Sequence, residues 1–168
     1  LGDFLVNETE DAVHNITSVR RFDMRSLQPE EVLDPNDNLA EFRFDALGMM
    51  VGSAVRGKGG EADDFDGFEA NLTEEQIDAF LADPVGNAAD LLRNATSRLI
   101  YDFRQTTPNP QGEYRPAVAA SIVRETHHRQ ALQAGVPSKL QLSFEYSDGM
   151  GAVILKKVQA EPGLAKML

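Results

Sequence analysis

Three histidines, 27 acidic residues and no cysteine bound the chemistry open to this 168-residue chain. Without cysteine there is no disulfide, no thiolate metal site and no thiol nucleophile. His127 and His128 are adjacent and follow a segment, Val118–Glu125, that reads as a strand. Neighbouring side chains on a strand point to opposite faces, so the two imidazoles do not converge on one metal. With His14 they make three of the usual zinc donors, but no ligand spacing follows, and surface histidines are expected. Asp34-x-Asn36-x-Asn38 opens like a calcium loop. Such a loop needs Gly at its sixth place and Glu at its twelfth, where this chain has Leu39 and Asp45, so a hairpin turn is the better reading. Asp63, Asp64, Asp66 and Glu69 offer a loose calcium site or, more simply, a solvated mobile loop.

Other catalytic patterns fare no better. Serine hydrolases of the elbow type carry Gly-x-Ser-x-Gly; that motif is absent, and Gly52-Ser53 falls inside an apparent strand. Gly57-Lys58-Gly59-Gly60 lacks the spacing of a phosphate-binding loop. Nothing among the acids selects a pair for glycoside cleavage. The sequence therefore assigns no catalytic, cofactor-binding or metal-ligating residue, and the chain is not expected to be an enzyme or to carry a cofactor. The Asn-x-Ser/Thr sequons at Asn7, Asn15, Asn71 and Asn94 are glycan acceptors only in a secreted eukaryotic chain; here they read as coincidence favoured by caps and turns.

The elements that would position any site are mostly strands. Ile16–Phe22 is rich in β-branched residues, and Asp34-Pro35-Asn36-Asp37-Asn38 is a dense turn signal. Ala40, Phe42 and Phe44 alternate with Glu41, Arg43 and Asp45, which places the aromatics on one face of a strand. Leu47-Gly48 turns the chain and Met49–Val55 returns, giving a hairpin over 38–56. A loop follows to residue 71 or 72; loops of this length are functional or mobile. Thr73 and Gln76 fit a capping box and Leu72 and Ile77 a hydrophobic staple, so a helix starts there, with Ile77, Phe80 and Leu81 on one face. Asp83-Pro84 stops it and caps a second helix that ends near Asn94. Leu99, Tyr101 and Phe103 alternate, Thr107–Arg115 is Pro-rich and turn-like, and Leu140, Leu142, Phe144 and Tyr146 form the clearest strand. Asp148-Gly149-Met150-Gly151 then turns into Ala152–Gln159, and Glu161-Pro162-Gly163 ends that hairpin.

The fold class read from this order is α+β, mostly β: antiparallel hairpins with a short helix pair inserted around residues 73–95. As a single segment, 1–168, it divides into hairpins over 16–56, an acidic loop over 57–72, the helix pair, and strands with a hairpin over 98–160. The net charge of −11 and a pI near 4.6 argue against nucleic acid and against anionic lipid. No stretch has the roughly 18 apolar residues of a membrane span, and no signal peptide is visible. A first residue of Leu1 suggests a piece of a larger protein.

One pattern recurs. An aromatic residue on a strand is followed within two positions by Asp, in Arg21-Phe22-Asp23 and, 22 residues on, Arg43-Phe44-Asp45, then in Tyr101-Asp102 and Tyr146-Ser147-Asp148. The aromatic packs on the sheet, Asp accepts backbone N–H groups in the turn, and Gly48 or Gly151 takes positive φ. Repetition of such units builds an extended sheet or shell.

Phe44-Asp45-Ala46-Leu47-Gly48 resembles the repeat element of Rhs/YD-repeat proteins. The ordered series Asp34–Asn38, Phe44–Gly48, Val55–Lys58, Asn94–Asp102, Arg124–His127, Tyr146–Gly151 and Gln159–Gly163 is similar to the middle segment of the B component of Tc-type insecticidal toxin complexes and of SpvB-like toxins. The likeness covers residues 30–163. It implies a structural part of a bacterial virulence protein, in or beside a hollow β-shell that encloses and helps deliver a toxic polypeptide. The implied partners are the rest of the same chain and the A and C components, with secretion as part of the complex and no membrane contact by this segment. Left alone, open strand edges would favour pairing between copies. The alternative is a stand-alone secreted β-module that binds carbohydrate or a protein partner.

Overall fold

The computed structural model describes residues 4–58, 61–104, 112, 116–148, 150 and 152–159. Nine strands form one antiparallel sheet in chain order: β1 (Glu8–Glu10), β2 (Ile16–Asp23), β3 (Gln28–Leu33), β4 (Leu39–Phe44), β5 (Met50–Arg56), β6 (Ser97–Asp102), β7 (Ala117–Arg124), β8 (Leu140–Ser147) and β9 (Val153–Val158). Two helices, α1 (Glu74–Ala82) and α2 (Pro84–Leu92), are inserted between β5 and β6, and a third, α3 (His128–Ala134), lies between β7 and β8. The mostly-β α+β class read from the sequence stands, with β1 and α3 added to it. The Pro-rich segment Thr107–Arg115, apart from Gly112, and Glu161-Pro162-Gly163 lie outside the described residues.

The steps from β1 to β5 and from β8 to β9 are short, so turn chemistry sets their register. At Asp11, Asp34, Asp45 and Asp148 one carboxylate oxygen accepts the amides two and four residues on, at 2.8–3.2 Å. Asp23 accepts from Arg25 and Ser26, and Asp102 from Arg104 at 3.0 Å. In the first three turns of the former type the carbonyl of the Asp also accepts the third following amide, and that third residue has positive φ: His14, Asp37 and Gly48. This is a tight turn followed by a left-handed residue, a standard short hairpin connection. The Asp-after-aromatic repeat is thus a series of carboxylate-locked turns, and Asp11 and Asp34 belong to it although no aromatic precedes them.

The helix pair covers one face of β6–β8. Thr73 caps α1 with Gln76 reaching back to its amide, and the Asp83 carboxylate caps α2 at Gly86, as the sequence predicts. Phe80 and Leu92 are fully buried against Ile100, Ala120, Ile122 and Leu142, and Phe80 stacks on Phe144 with ring centroids 5.8 Å apart. Burying such side chains supplies most of the stabilisation here, about 1.5–3 kcal/mol each.

Two predicted strand faces differ from the observed ones. In β6 Leu99 and Tyr101 are half-buried, and Phe103, just after the strand, is exposed, while Arg98 and Ile100 are the buried set. In β4 a register shift between Arg43 and Phe44 interrupts the alternation. Phe44 is buried, Phe42 only half so, and Glu41 is buried on the other side of the strand. Helix-side polar groups, not the aromatic count, decide these faces: the guanidinium of Arg43 lies 4.3 Å from the Phe65 ring centroid and that of Arg98 lies 4.0 Å from Phe68. Gly52 makes room for this layer, because a Cβ there would meet the Phe68 ring at 2.5 Å.

Candidate functional site

The polar groups with the most concentrated chemistry meet where β5, α2, β7 and α3 come together. Asp63, expected in a solvated mobile loop, is instead fully buried. The backbone draws it in first: Asp63 N–H donates to Val55 at 3.0 Å, Gly57 N–H to Glu61 at 2.8 Å, and Ala62 pairs with Arg56. The Asp63 carboxylate then accepts from Thr96 Oγ1 at 2.6 Å and pairs with His127 Nδ1 at 2.9 Å through Oδ2. Its Oδ1 accepts from the His128 amide at 2.5 Å, with Arg124 Nε 3.9 Å away.

The local reason is a helix start. His127 and His128 do not lie on a strand; they begin α3, and His127 provides no side-chain cap of its own. Asp63 supplies the missing acceptor from 65 residues away, and a carboxylate suits a helix N-terminus. The expectation of two surface histidines is corrected for His127, which is partly buried and held by Asp63.

The exit of α2 is closed from the sheet. Its last turn contains no basic residue, and two strand arginines take that place. Arg98 donates to the Leu91 carbonyl at 2.7 Å and to that of Glu69. Arg124 donates to the Ala95 carbonyl at 2.7 Å and to that of Arg93. Burial pushes the Arg98 guanidinium down to about 10, and burial likewise lowers that of Arg124, against the opposing pull of Asp63. The carbonyls of Leu91, Glu69, Ala95 and Arg93 make these cations tolerable, although Arg98 Nε is buried with no partner among the described residues.

Chemically, this cluster is an Asp–His pair beside a hydroxyl, but the hydroxyl proton of Thr96 goes to the same carboxylate oxygen that holds the imidazole. The arrangement fixes three segments to one another. The remaining acids of the loop are elsewhere: Asp64 accepts from the Asp66 amide and from Asn94, and Glu69 from Gln76. Among the described residues no three His, Asp or Glu side chains come together as a metal would need. Asp34 has its oxygens filled by Asn36 and Asn38 donors, which fits the turn reading. His14 contacts Glu10. Ser53 pairs with Ser97 at 2.7 Å across the sheet. Of the sequon asparagines, Asn71 accepts from the Ala46 amide and Asn15 donates to Asp11.

No protein-family profile matches the chain, and no curated protein does. Solved structures do. The chain is similar to part of the TcdB2-TccC3 crystal structure at 22% identity and a TM-score of 0.62, over 95% of this chain and 7% of that one. It is similar to TcdB2-TccC3-Cdc42 at 16% identity and a TM-score of 0.64, over 95% of this chain and 9% of that one. The Photorhabdus luminescens Tc holotoxin pore matches at 16% identity and a TM-score of 0.55, with the same coverage. The chain therefore has a fold found within Tc toxin assemblies, and it spans less than a tenth of the chains it matches.

Proposed function

We propose that this chain is a structural segment of a Tc-type toxin B component, part of or adjoining a β-shell that encloses and helps deliver a toxic polypeptide. The observation that carries this reading is the likeness to Tc assemblies over 95% of the chain. It is supported by a sheet whose two edges are unfinished. No described strand pairs with the outer side of β1 or β9, and every residue of β9 is exposed, including Val153, Ile154, Leu155 and Val158. An exposed apolar edge strand is a template for further pairing.

On this reading the Asp63 cluster is a structural latch and the segment is not an enzyme. Its partners are the flanking parts of the same polypeptide and, through them, the A and C components, with secretion as part of a virulence complex. No helix among the described residues is long and apolar enough to cross a membrane. The test is light scattering on the 168-residue chain beside a chain extended at both ends. The segment alone is expected to self-associate, the extended chain to stay monomeric, and Ile154→Lys with Val158→Lys to return the segment to a monomer. A segment that is monomeric without substitution would point to the independent β-module instead.

A further inference from the structure

The two faces of the sheet differ in charge, and the strand registers let each be followed row by row, because directly opposed residues share a face. On the side away from the helices, Val19, Val32, Ala40 and Val55 form one row across β2–β5. Phe42, Ser53, Ser97, Val123 and Gln141 form the next, across β4–β8. Leu99, Ser121, Ser143 and Val158 form a third, across β6–β9. None of these side chains is charged, in a chain of net charge −11. Glu30, two residues before Val32, is engaged by Arg21 and Arg43. A fourth row ends in Glu145 and Lys156, which pair at 2.7 Å. The hydroxyls are closed on one another, Ser53 with Ser97 and Ser121 with Ser143, each at 2.7 Å.

The opposite face carries the charge. Under α1 and α2 it is apolar, with Ile100, Ala120, Ile122 and Leu142 in the core. Towards β2 it turns ionic: Arg21, Glu31 and Glu41 share a row, and Arg56 pairs with Glu41 at 2.7 Å. The Arg21 and Arg56 side chains are 47% and 48% exposed. Ionised groups in that number belong against bulk water.

We propose that the charge-free face is the inner face of the shell and meets the enclosed polypeptide, while the helix side faces bulk water. This rests on the scaffold reading and adds to it the orientation of the wall. A bare charge acts more strongly where water is restricted; on an inner wall it would hold stretches of opposite sign and repel those of like sign. Uncharged side chains with paired hydroxyls offer an extended chain no ion pair, so the wall can retain a polypeptide without binding it. Size agrees with this orientation. The concave side of a curved sheet has less room per residue, and Ser97, Ser121 and Ser143 are smaller than their neighbours Arg98, Ile122 and Leu142 on the helix side.

The chain has no cysteine, so a single introduced thiol reports the exposure of its face. Val123→Cys marks the charge-free face and Val85→Cys the helix side; the native side chains are 39% and 68% exposed. Each is placed in the 168-residue chain and in the full-length parent chain assembled with its C component. The probes are N-ethylmaleimide and a maleimide on a long polyethylene glycol chain, with labelling at each position read by peptide mass spectrometry. In the 168-residue chain both positions should take both reagents. In the assembly position 85 should still take both, whereas position 123 should take N-ethylmaleimide and lose labelling by the large reagent. Large-reagent labelling at position 123 but not at 85 overturns the orientation and leaves the shell standing. Protection of position 123 from both reagents also overturns it, by showing another layer packed on that face. Large-reagent labelling at both positions overturns the shell reading itself, and the proposal with it.

Discussion

The three N-terminal strands and the four strands from β5 to β8 belong to one sheet but are held by different physics. From Phe4 to Ala40 no residue is buried. There the sheet rests on backbone pairing, carboxylate-locked turns and ion pairs such as Arg21 with Glu30 and Glu31, at 2.9 and 2.7 Å. Exposed pairs of that kind contribute little, about 0–1 kcal/mol. From β5 to β8 the sheet carries a helix layer, a shared apolar core and a buried polar latch. The helix-covered half carries its own core, whereas the N-terminal half has its register written into its turns and no buried residue before Glu41.

The largest break of this contrast is Phe80→Ala. It should cost about 3–5 kcal/mol, read as a drop in the denaturation midpoint of the helix-covered half. Asp63→Ala comes next, at about 3 kcal/mol, because it leaves the His128 amide, His127, Thr96 and Arg124 short of a buried acceptor. Its signature is local: amide exchange at 127–134 should rise more than in β1–β3, and a uniform rise would remove the latch from the account.

Asp45→Ala should cost only about 1 kcal/mol and loosen the β4–β5 turn, seen as faster exchange at Leu47 and Met49 with the core unchanged. The smallest effect is in pH. Hydrogen bonds from Asn15 to Asp11, from the Arg25 amide to Asp23 and from Asn38 to Asp34 hold those carboxyls below their ordinary value of 3.8. A depressed carboxyl stabilises the fold above its unfolded value, and that contribution is lost as pH falls through the lower folded value. The N-terminal turns should therefore loosen below pH 3.8, and carboxyl titration by NMR should give midpoints under that figure for all three. Midpoints at or above it would mean the turns do not draw on these carboxylates.

Legibility in the sequence follows the same divide. Whatever is local could be read: the Thr73–Gln76 box, the Asp83-Pro84 cap, the hairpins at Asp45 and Asp148, and the strand Leu140–Tyr146. The helix α3 was also signalled, by helix-forming Arg129–Ala134 and by Gly135, which ends it at positive φ. Continuing the preceding strand through His127 hid it. The Asp63 latch was not legible. A carboxylate in an acidic run looks solvated until a helix start and a threonine, 65 and 33 residues distant, are known to face it. Arg98 escaped for a related reason, since a charge on a strand reads as outward until helix carbonyls are there to receive it.

The central claim is that this is a piece of a larger sheet, and amide hydrogen exchange along β9 tests it most directly. The 168-residue chain should be compared with a chain extended at both ends. The account predicts that Val153–Val158 and the β1–β3 amides are weakly protected in the shorter chain and gain protection in the longer one, with β5–β8 unchanged. Equal protection of β9 in both chains would contradict it, because the edge would then be complete as it stands.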